Sequence, residues 1–536
     1  MNRMKTGSGR ESLAERMIPI EDRYSFLWLA AAAALLLFAN GRWIIPAAAW
    51  LGPVFMVRFL RTRKAFVGLP IGYAVNAVLF YFQWQAAFQG AGAAFMLYTL
   101  AFGLIGFLPY VIDRLVRPAL GGFLATLVLP AAWVSTEYLL HLVLPLGTFF
   151  SVAYTQSAYL PLLQIMSVAG LWGVTFLVLW FAGVANYAWE RGFRISEAGK
   201  VSKAGKRILI FAGVLLAVVL YGGFRLAVFP PAGENVRVAV LTTDRDFEAL
   251  PPDGSETEER LLAGTLTTDE RRELLSRMTS INTDLLERSR LQARAGSRIV
   301  VWSEYDAHVF ADDEADFLDA CRSVARAEGI YMAVPLIVVE TRPDSRPEPE
   351  KMAVNKLVMI TPEGAIAFQY IKANLLIGWE MEHAVAGAKE IQHVDTPYGR
   401  LTGVICLDMD YPGFIRKAGR QDVDIVLSGA IDGTDNSGEN PMHAVMASYR
   451  AIESGVNVAR AGKYAQSMAV DYQGRTLAFM KHTSSDGRTL LAHVPRSGAW
   501  TLYTVLGDFF PWLCLAGLAA LGVLPLLRRP RPSRQP

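Results

Sequence analysis

The sequence predicts a multi-span α-helical membrane domain of about eight helices joined to a layered α/β domain. Three observations predict this. Of the 536 residues, 52% are hydrophobic and the mean hydropathy is +0.28, too apolar for a soluble globular chain. The excess is uneven, because runs long enough to cross a bilayer fill the first 230 residues and recur once near the end. Between them lies a stretch of ordinary soluble composition, where short β-branched runs alternate with helical spacing.

Eight apolar runs justify the helical half: 24–40, 43–60, 66–84, 93–112, 119–142, 162–189, 208–229 and 509–527. Their connections carry a charge bias. Arg3, Lys5, Arg10, Arg16 and Arg23 precede the first run, and Arg61, Arg63 and Lys64 follow the second. Arg114 and Arg117 follow the fourth; Arg191, Arg194, Lys200, Lys203, Lys206 and Arg207 follow the sixth. Arg528, Arg529, Arg531 and Arg534 follow the eighth, whereas 85–92 and 145–161 carry no charge. With eight spans every basic connection falls on one side, which the positive-inside rule makes the cytoplasm. The expected division is a membrane domain with seven spans over 1–229, an extracytoplasmic domain over 230–500, and a last span with a basic cytoplasmic tail over 501–536. The expected location is the cytoplasmic (inner) membrane. Residues 1–23 lack a small-residue cleavage site after a short apolar core, so no cleaved signal peptide is expected.

Within the spans, Arg225 near the outer end of the seventh is expected to snorkel. Glu137 and His141 in the fifth are different, since ionisable groups at membrane depth face a protein interior or a wet cavity. Their plainest role is a structural pairing between spans. The uncharged loop 144–161 carries Phe149, Phe150, Tyr154 and Tyr159, which places it at the outer interface beside the soluble domain.

In the soluble stretch, strands are expected at 236–241, 298–302, 330–338, 400–406, 424–428, 456–459, 467–470 and 476–480. Residues 354–360 and 366–371 read as a hairpin across Pro362-Glu363-Gly364. Helical spacing covers 268–295, 312–328 and 442–454, the last ended by Gly455. Residues 342–351, rich in Pro and charge, read as an exposed loop. A net charge of only +3 gives no case for a nucleic-acid partner. The three cysteines, Cys321, Cys406 and Cys514, have the spacing of neither a metal site nor a disulfide framework, and no cofactor is expected.

Three strand ends carry the chemistry. The apolar run 401–405 stops on Cys406, and Asp408, Asp410, Pro412 and Gly413 follow at once. That reads as a buried strand ending in a tight turn into a helix, with the thiol held at the turn, near a helix N-terminus where backbone N–H groups favour the thiolate. Alone, it reads equally well as a small buried hydrophobe. The run 299–303 ends on Glu304 and the run 366–371 on Lys372. A thiol becomes a strong nucleophile when a base takes its proton. A carboxylate with a raised pKa suits that task, and a lysine beside the thiol stabilises first the thiolate and then a tetrahedral oxyanion. Together they describe acyl transfer through a thioester.

Glu304, Lys372 and Cys406, each at a strand end and in this order, resemble the Glu-Lys-Cys triad of the nitrilase (carbon–nitrogen hydrolase) superfamily. A domain of this kind between a seventh and an eighth span is similar to one branch, the bacterial apolipoprotein N-acyltransferases. Trp133-Val-Ser-Thr-Glu137 and Leu162-Leu-Gln-Ile followed by Gly170-Leu-Trp-Gly-Val-Thr-Phe176 resemble that branch's membrane half. Gly378-Trp-Glu380, eight residues after Lys372, resembles its second glutamate, and Tyr449-Arg-Ala-Ile-Glu453-Ser-Gly455 its following helix. The resemblance implies a nitrilase-like α-β-β-α sandwich. It implies a phospholipid as acyl donor and, as acceptor, the α-amine of a diacylglyceryl-cysteine on a lipoprotein. It also implies Glu304 as base, Lys372 as oxyanion stabiliser, and Glu380, Asn355 and Asp408 as supporting residues.

Several positions depart from the family pattern. Ser303 stands where Pro precedes the glutamate, and Cys406-Leu407-Asp408 replaces Cys-Tyr-Glu. Thr242-Thr-Asp-Arg-Asp246 and Ser428-Gly-Ala-Ile-Asp432-Gly433 replace substrate-side motifs, and Met381-Glu-His383-Ala follows Glu380. A membrane-tethered amidase, an acyltransferase with another amine acceptor, and a non-enzymatic protein that kept the fold are the alternatives. An intact triad opposes the last, and a membrane half favours transfer over hydrolysis.

Overall fold

The computed structural model describes residues 22–85, 92, 94–197, 200–243, 250–251, 255–348, 350–432, 442–481 and 488–527. The basic residues Arg3 to Arg16 and Arg528 to Arg534, most of loop 85–92, and Asp244, Arg245, Asp246 and Gly433 lie outside the described residues.

The first half is helical: α1 (Ser25–Leu37), α2 (Pro46–Thr62), α3 (Ala65–Trp84), α4 (Ala94–Val116), α5 (Leu124–Val143), α6 (Leu171–Trp189) and α7 (Lys203–Val228). Each expected span of this half contains a helix. By length and composition, five helices among the described residues can cross a membrane, α3 to α7. With 13 and 17 residues, α1 and α2 fall short of that length. The sixth expected run is not one helix. It breaks into Leu160–Leu163 and Met166–Ala169, then restarts as α6 after Gly170. Gly170 has φ +63, and a Cβ there would stand 2.8 Å from the Tyr503 ring, so both backbone sign and space call for glycine. Arg225 does not snorkel. It is buried, and its guanidinium donates to Gln164 Oε1 beside the broken segment.

The second half is two stacked sheets. Its elements run β1 (Asn235–Leu241), α8 (Glu256–Ala263), α9 (Thr268–Arg294), β2 (Ile299–Trp302), β3 (Ala307–Phe310), α10 (Glu314–Glu328), β4 (Tyr331–Val339), β5 (Ala353–Ile360), β6 (Ile366–Ile371), β7 (His393–Thr396) and β8 (Gly399–Ile405). There follow α11 (Pro412–Arg420), β9 (Ile425–Ile431), α12 (Met442–Ser454), β10 (Asn457–Lys463), β11 (Gln466–Val470), β12 (Thr476–Lys481), β13 (Thr489–Pro495) and α13 (Phe509–Leu527). The first sheet has the order β6-β5-β4-β2-β1-β13, with β3 also paired to β4; the second has β7-β8-β9-β10-β11-β12. Its central pairs β8–β9 and β9–β10 are parallel, as are β1–β2 and β2–β4 in the first sheet.

Period-two alternation assigns each face. Val236, Val238 and Val240 of β1 enter the core between the sheets with Val404, Leu427 and Val458. Ala239 and Leu241 point the other way, onto Leu274, Met278 and Leu285 of α9 and Cys321 of α10. Helices α11 and α12 line the second sheet through Phe414, Ile415, Ala444 and Ala447. The result is helix, sheet, sheet, helix. A capping box between Thr267 and Glu270 starts α9.

Strands β3, β7 and β13 and helix α8 were not expected from the sequence. β3 and β7 have only four residues each, too few for a pattern, and β7 pairs on one side only. The membrane half reaches the second sheet and its helix α12 through specific bonds: Leu171 N donates to Glu453 Oε1 (2.6 Å), and Gln473 Nε2 to Phe229 O (2.6 Å).

Candidate active site

The loops after β2, β6, β8 and β9 converge. Glu304 lies two residues beyond β2, Lys372 one beyond β6, and Cys406 one beyond β8. Glu304 and Lys372 are buried, Cys406 half-buried. Lys372 Nζ lies 2.9 Å from Glu304 Oε1 and 2.8 and 2.7 Å from Glu380 Oε1 and Oε2. Asn355 on β5 donates from Nδ2 to Glu304 Oε1 (2.7 Å) and Glu380 Oε1 (3.0 Å). Its carbonyl accepts from Lys372 N at 2.9 Å, which ties the lysine to the neighbouring strand. Glu380, on the short helix Trp379–His383, also accepts from Leu376 N (2.8 Å). The structure therefore joins Glu304, Lys372, Glu380 and Asn355 in one network.

Ile431, at the end of β9, connects that network to the thiol. Its N–H donates to Glu304 Oε2 (3.2 Å), and its carbonyl accepts from Cys406 Sγ (3.3 Å). Nothing in the residue type marked Ile431 in advance, because its backbone does the work. Cys406 itself has φ +47, in the left-handed region that non-glycine residues rarely occupy. It opens a single 3-10 turn, Cys406–Asp410, and α11 begins only at Pro412. The tight turn expected at the thiol is present, and the helix it leads into follows two residues after the turn.

Electrostatics follow from burial. Desolvation pushes the Cys406 thiol well above its usual range and the Glu304 charge pushes the same way, against the opposing pull of Lys372. The raised pKa disfavours the thiolate, so a neighbouring base has to take the proton for sulfur to act as a nucleophile. Burial also raises the Glu304 carboxyl, which Lys372 pulls back. Burial works against the Lys372 charge, yet Glu304, the Cys406 sulfur and Glu380 hold its ammonium well above the usual range.

Asp408 is fully buried and joins a different set of bonds. It accepts from Ile405 N (3.1 Å), Tyr370 Oη (2.7 Å), Asn374 N (3.0 Å) and Asn374 Nδ2 (2.8 Å). It fastens the Cys406 turn to the loop after Lys372 and makes no bond to Glu304 or Glu380. Three further residues escaped the sequence reading, the buried Asp306 and Lys463 and the half-buried His443. Asp306 accepts from Thr243 N (3.0 Å) and from Ser303 and Thr243 hydroxyls, while Lys463 Nζ donates to Tyr305 O (3.1 Å). These bonds hold the turn that carries Glu304, so Ser303 now has a partner of its own. His443 Nδ1 lies 2.8 Å from Asp410 Oδ2, and its pKa is raised, desolvation being outweighed by Asp410 and Asp432. Isolated Asp, Lys and His residues give no pattern that could have found them. Among the described residues no group of three or more His, Cys, Asp or Glu side chains could hold a metal ion.

The family model described as Carbon-nitrogen hydrolase matches residues 285–501, and that described as Apolipoprotein N-acyltransferase N-terminal domain matches 27–184. The chain is similar to the apolipoprotein N-acyltransferase of Geobacter metallireducens, 25% identical over 440 residues and 78% of each chain. It is also similar to that of Rhodopseudomonas palustris, 25% identical over 535 residues, 94% of this chain and 90% of the relative. Among solved structures, an amidase from Nesterenkonia sp. aligns with TM-score 0.37 and 15% identity, over 50% of this chain and 92% of the amidase.

Proposed function

The chain belongs to the apolipoprotein N-acyltransferases of the carbon–nitrogen hydrolase superfamily, and on that premise we propose that it carries a fatty acyl chain from a membrane phospholipid to a lipoprotein through a thioester on Cys406. The acceptor is the α-amine of an N-terminal diacylglyceryl-cysteine. The observation that carries the reading is the meeting of a buried carboxylate, a buried ammonium and a thiol at three strand ends, with Ile431 bonded to both acid and sulfur.

In the first half-reaction Glu304 takes the Sγ proton as sulfur attacks the ester carbonyl carbon of the donor. The tetrahedral oxyanion gains the Lys372 charge, and one of the two Glu380 contacts gives way to it. The C–O bond then breaks, Glu304 returns the proton to the leaving oxygen, and a lysophospholipid departs. In the second half-reaction Glu304 accepts a proton from the acceptor amine as its nitrogen attacks the thioester. The amide forms, the C–S bond breaks, and sulfur regains a proton. Glu380 and Asn355 hold Lys372 and Glu304 in place, and Asp408 holds the turn.

The reading includes the topology: eight spans, divisions at 1–229, 230–500 and 501–536, and the α/β domain outside the cytoplasmic membrane. Loop charge supports this sidedness, and an acyl donor confined to the bilayer suits a thiol attached to a helical bundle. A hydrolase of small amides has no need of one.

The test is acyl-enzyme trapping. Membranes containing the full chain are given phospholipid labelled in one acyl chain, and label on the protein is read before and after hydroxylamine. Label should sit on Cys406, leave with hydroxylamine or an acceptor lipopeptide amine, and vanish in Cys406→Ala but persist in Cys321→Ala and Cys514→Ala. Label retained by Cys406→Ala overturns the assignment; release to water alone, with no transfer to amine, favours the amidase.

A further inference from the structure

Glu137 sits in α5 and plays no part in the chemistry above. Its Oε1 accepts from Trp133 Nε1 (3.0 Å) and Val152 N (2.9 Å); its Oε2 accepts from Ser151 Oγ (2.8 Å) and Thr175 Oγ1 (3.1 Å). All four donors are neutral. Two belong to the outer loop between α5 and α6, and one to α6 itself. The pairing is therefore less between spans than between a span and the loop. Ser151 Oγ in turn accepts from Ala153 N (3.2 Å), starting the 3-10 helix Val152–Gln156.

That loop rests on the nucleophile turn. Ser151 N donates to Thr148 O (3.0 Å), and Thr148 N and Oγ1 both donate to Asp410 O (3.1 and 3.0 Å). Asp410 is the last residue of the turn that Cys406 begins. Gly147, with φ +57, lies so close that a Cβ would stand 2.7 Å from both Asp410 Cβ and O. On its other flank, Ala153 O accepts from Tyr449 Oη (2.7 Å) and Tyr154 Oη from Arg450 Nη2 (3.2 Å), both on α12. An unbroken series of bonds thus runs from a carboxylate in the helical bundle, through one loop, to the backbone of the Cys406 turn.

We propose that Glu137 is a positioning residue: it fixes the outer loop that braces the Cys406 turn, so that thiol and membrane bundle keep one register. A donor ester has its depth set by the bilayer, so the thiol must be held at a matching height. The proposal rests on the acyltransferase reading, and it explains why an acidic side chain, and not a neutral one, stands at this depth. Glutamine would keep the shape but has one acceptor oxygen for the Trp133 and Val152 N–H groups, so the Ser151 and Thr175 hydroxyls would have to reverse from donors to acceptors of its NH₂ group and half of the bonds would be remade.

The test uses the full-length protein in membranes, with Glu137→Gln and Thr148→Val singly and together. One readout is the rate of Cys406 acylation at saturating labelled phospholipid, together with the lipid concentration giving half that rate. The other is alkylation of Cys406 by iodoacetamide, read on the Cys406 peptide, which needs no acyl donor. Glu137→Gln should slow saturated acylation on the order of 10²-fold, the scale of a misplacement of about 1 Å, with the half-saturating lipid unchanged. Thr148→Val should cost about tenfold, the worth of one hydrogen bond carried into the transition state. The double variant should be no slower than Glu137→Gln, because both changes break one path.

Acylation within about twofold of wild type in folded Glu137→Gln, or losses that multiply in the double variant, overturns the proposal. If Glu137→Gln does not assemble, Thr148→Val decides by the same twofold criterion. If wild type takes no acyl chain from phospholipid, the acyltransferase reading fails, and alkylation still decides the positioning role. Equal alkylation rates in wild type and variants then overturn it, and altered rates uphold it.

Discussion

Lys372 directs its N–H groups at three carboxylate oxygens, one from Glu304 and two from Glu380. A buried ammonium so held is a charge already in place, and on the proposed mechanism one Glu380 contact is all that has to give way when an oxyanion appears beside it. Lys372→Met should lower acylation roughly 10²–10³-fold, as for loss of one oxyanion donor. Glu304→Gln should cost roughly 10²–10⁴-fold, the range of general-base catalysis. The double variant should fall well short of the product of the two, since both residues act on one step. Either folded single variant transferring within a few-fold of wild type would remove that residue from the mechanism. A pH readout separates charge from shape. Lys372 is the group that pulls the Cys406 thiol down, against burial and Glu304, which push it up. Removing its charge must raise the thiol further, so the iodoacetamide profile of Lys372→Met should move to higher pH. An unmoved profile would show that the ammonium does not act on sulfur.

The elements that meet at the site constrain one another through backbone. Gly429 on β9 has no side chain because the other sheet lies against it: a Cβ there would stand 2.5 Å from Pro335 Cγ, 2.9 Å from Trp302 O and 3.1 Å from Glu304 N. Gly429→Ala should therefore push on the turn that carries Glu304. It should destabilise the domain by about 1–3 kcal/mol, the usual cost of overpacking, and slow acylation on the order of 10²-fold through displacement of the base. Thermal unfolding and saturated acylation rates measured on the same preparation check this. Full activity in a folded Gly429→Ala would mean that the two sheets can part without moving Glu304. The positive φ of Cys406 belongs to the same scale, since such a residue is kept in place by its surroundings. Here the surroundings are Asp408, bonded to Ile405 N, and Thr148 from the membrane half, bonded to Asp410 O.

For the whole molecule, the decisive question is sidedness. Lys203 begins α7, and Gly233 lies between its end and β1. Reporter fusions at these two positions should report opposite faces of the membrane, with Gly233 outside. Both on one side would defeat the eight-span topology and, with it, the placement of the thiol among extracytoplasmic acceptors. The contacts of Gln473, Tyr472 and Arg475 with the last turn of α7 leave little freedom between the halves.

Much of this protein was legible in its residues. Apolar runs marked the helices, because a bilayer demands length and hydrophobicity within one continuous segment. The order Glu304, Lys372, Cys406 at three strand ends is what suggested the proposed chemistry, because charged and nucleophilic groups there follow directly on apolar strands. Tertiary structure alone decided what joins these ends. Ile431 serves through its backbone, which no residue code distinguishes, and Gly429 serves by what it lacks. The thiol's high pKa depends on surrounding bulk and on the Glu304 charge, both assembled from distant parts of the chain. Glu137 stood out in the sequence as a charge at membrane depth. Its tie to the Cys406 turn exists only in the fold, because hydrogen bonds between residues hundreds apart leave no local pattern to read.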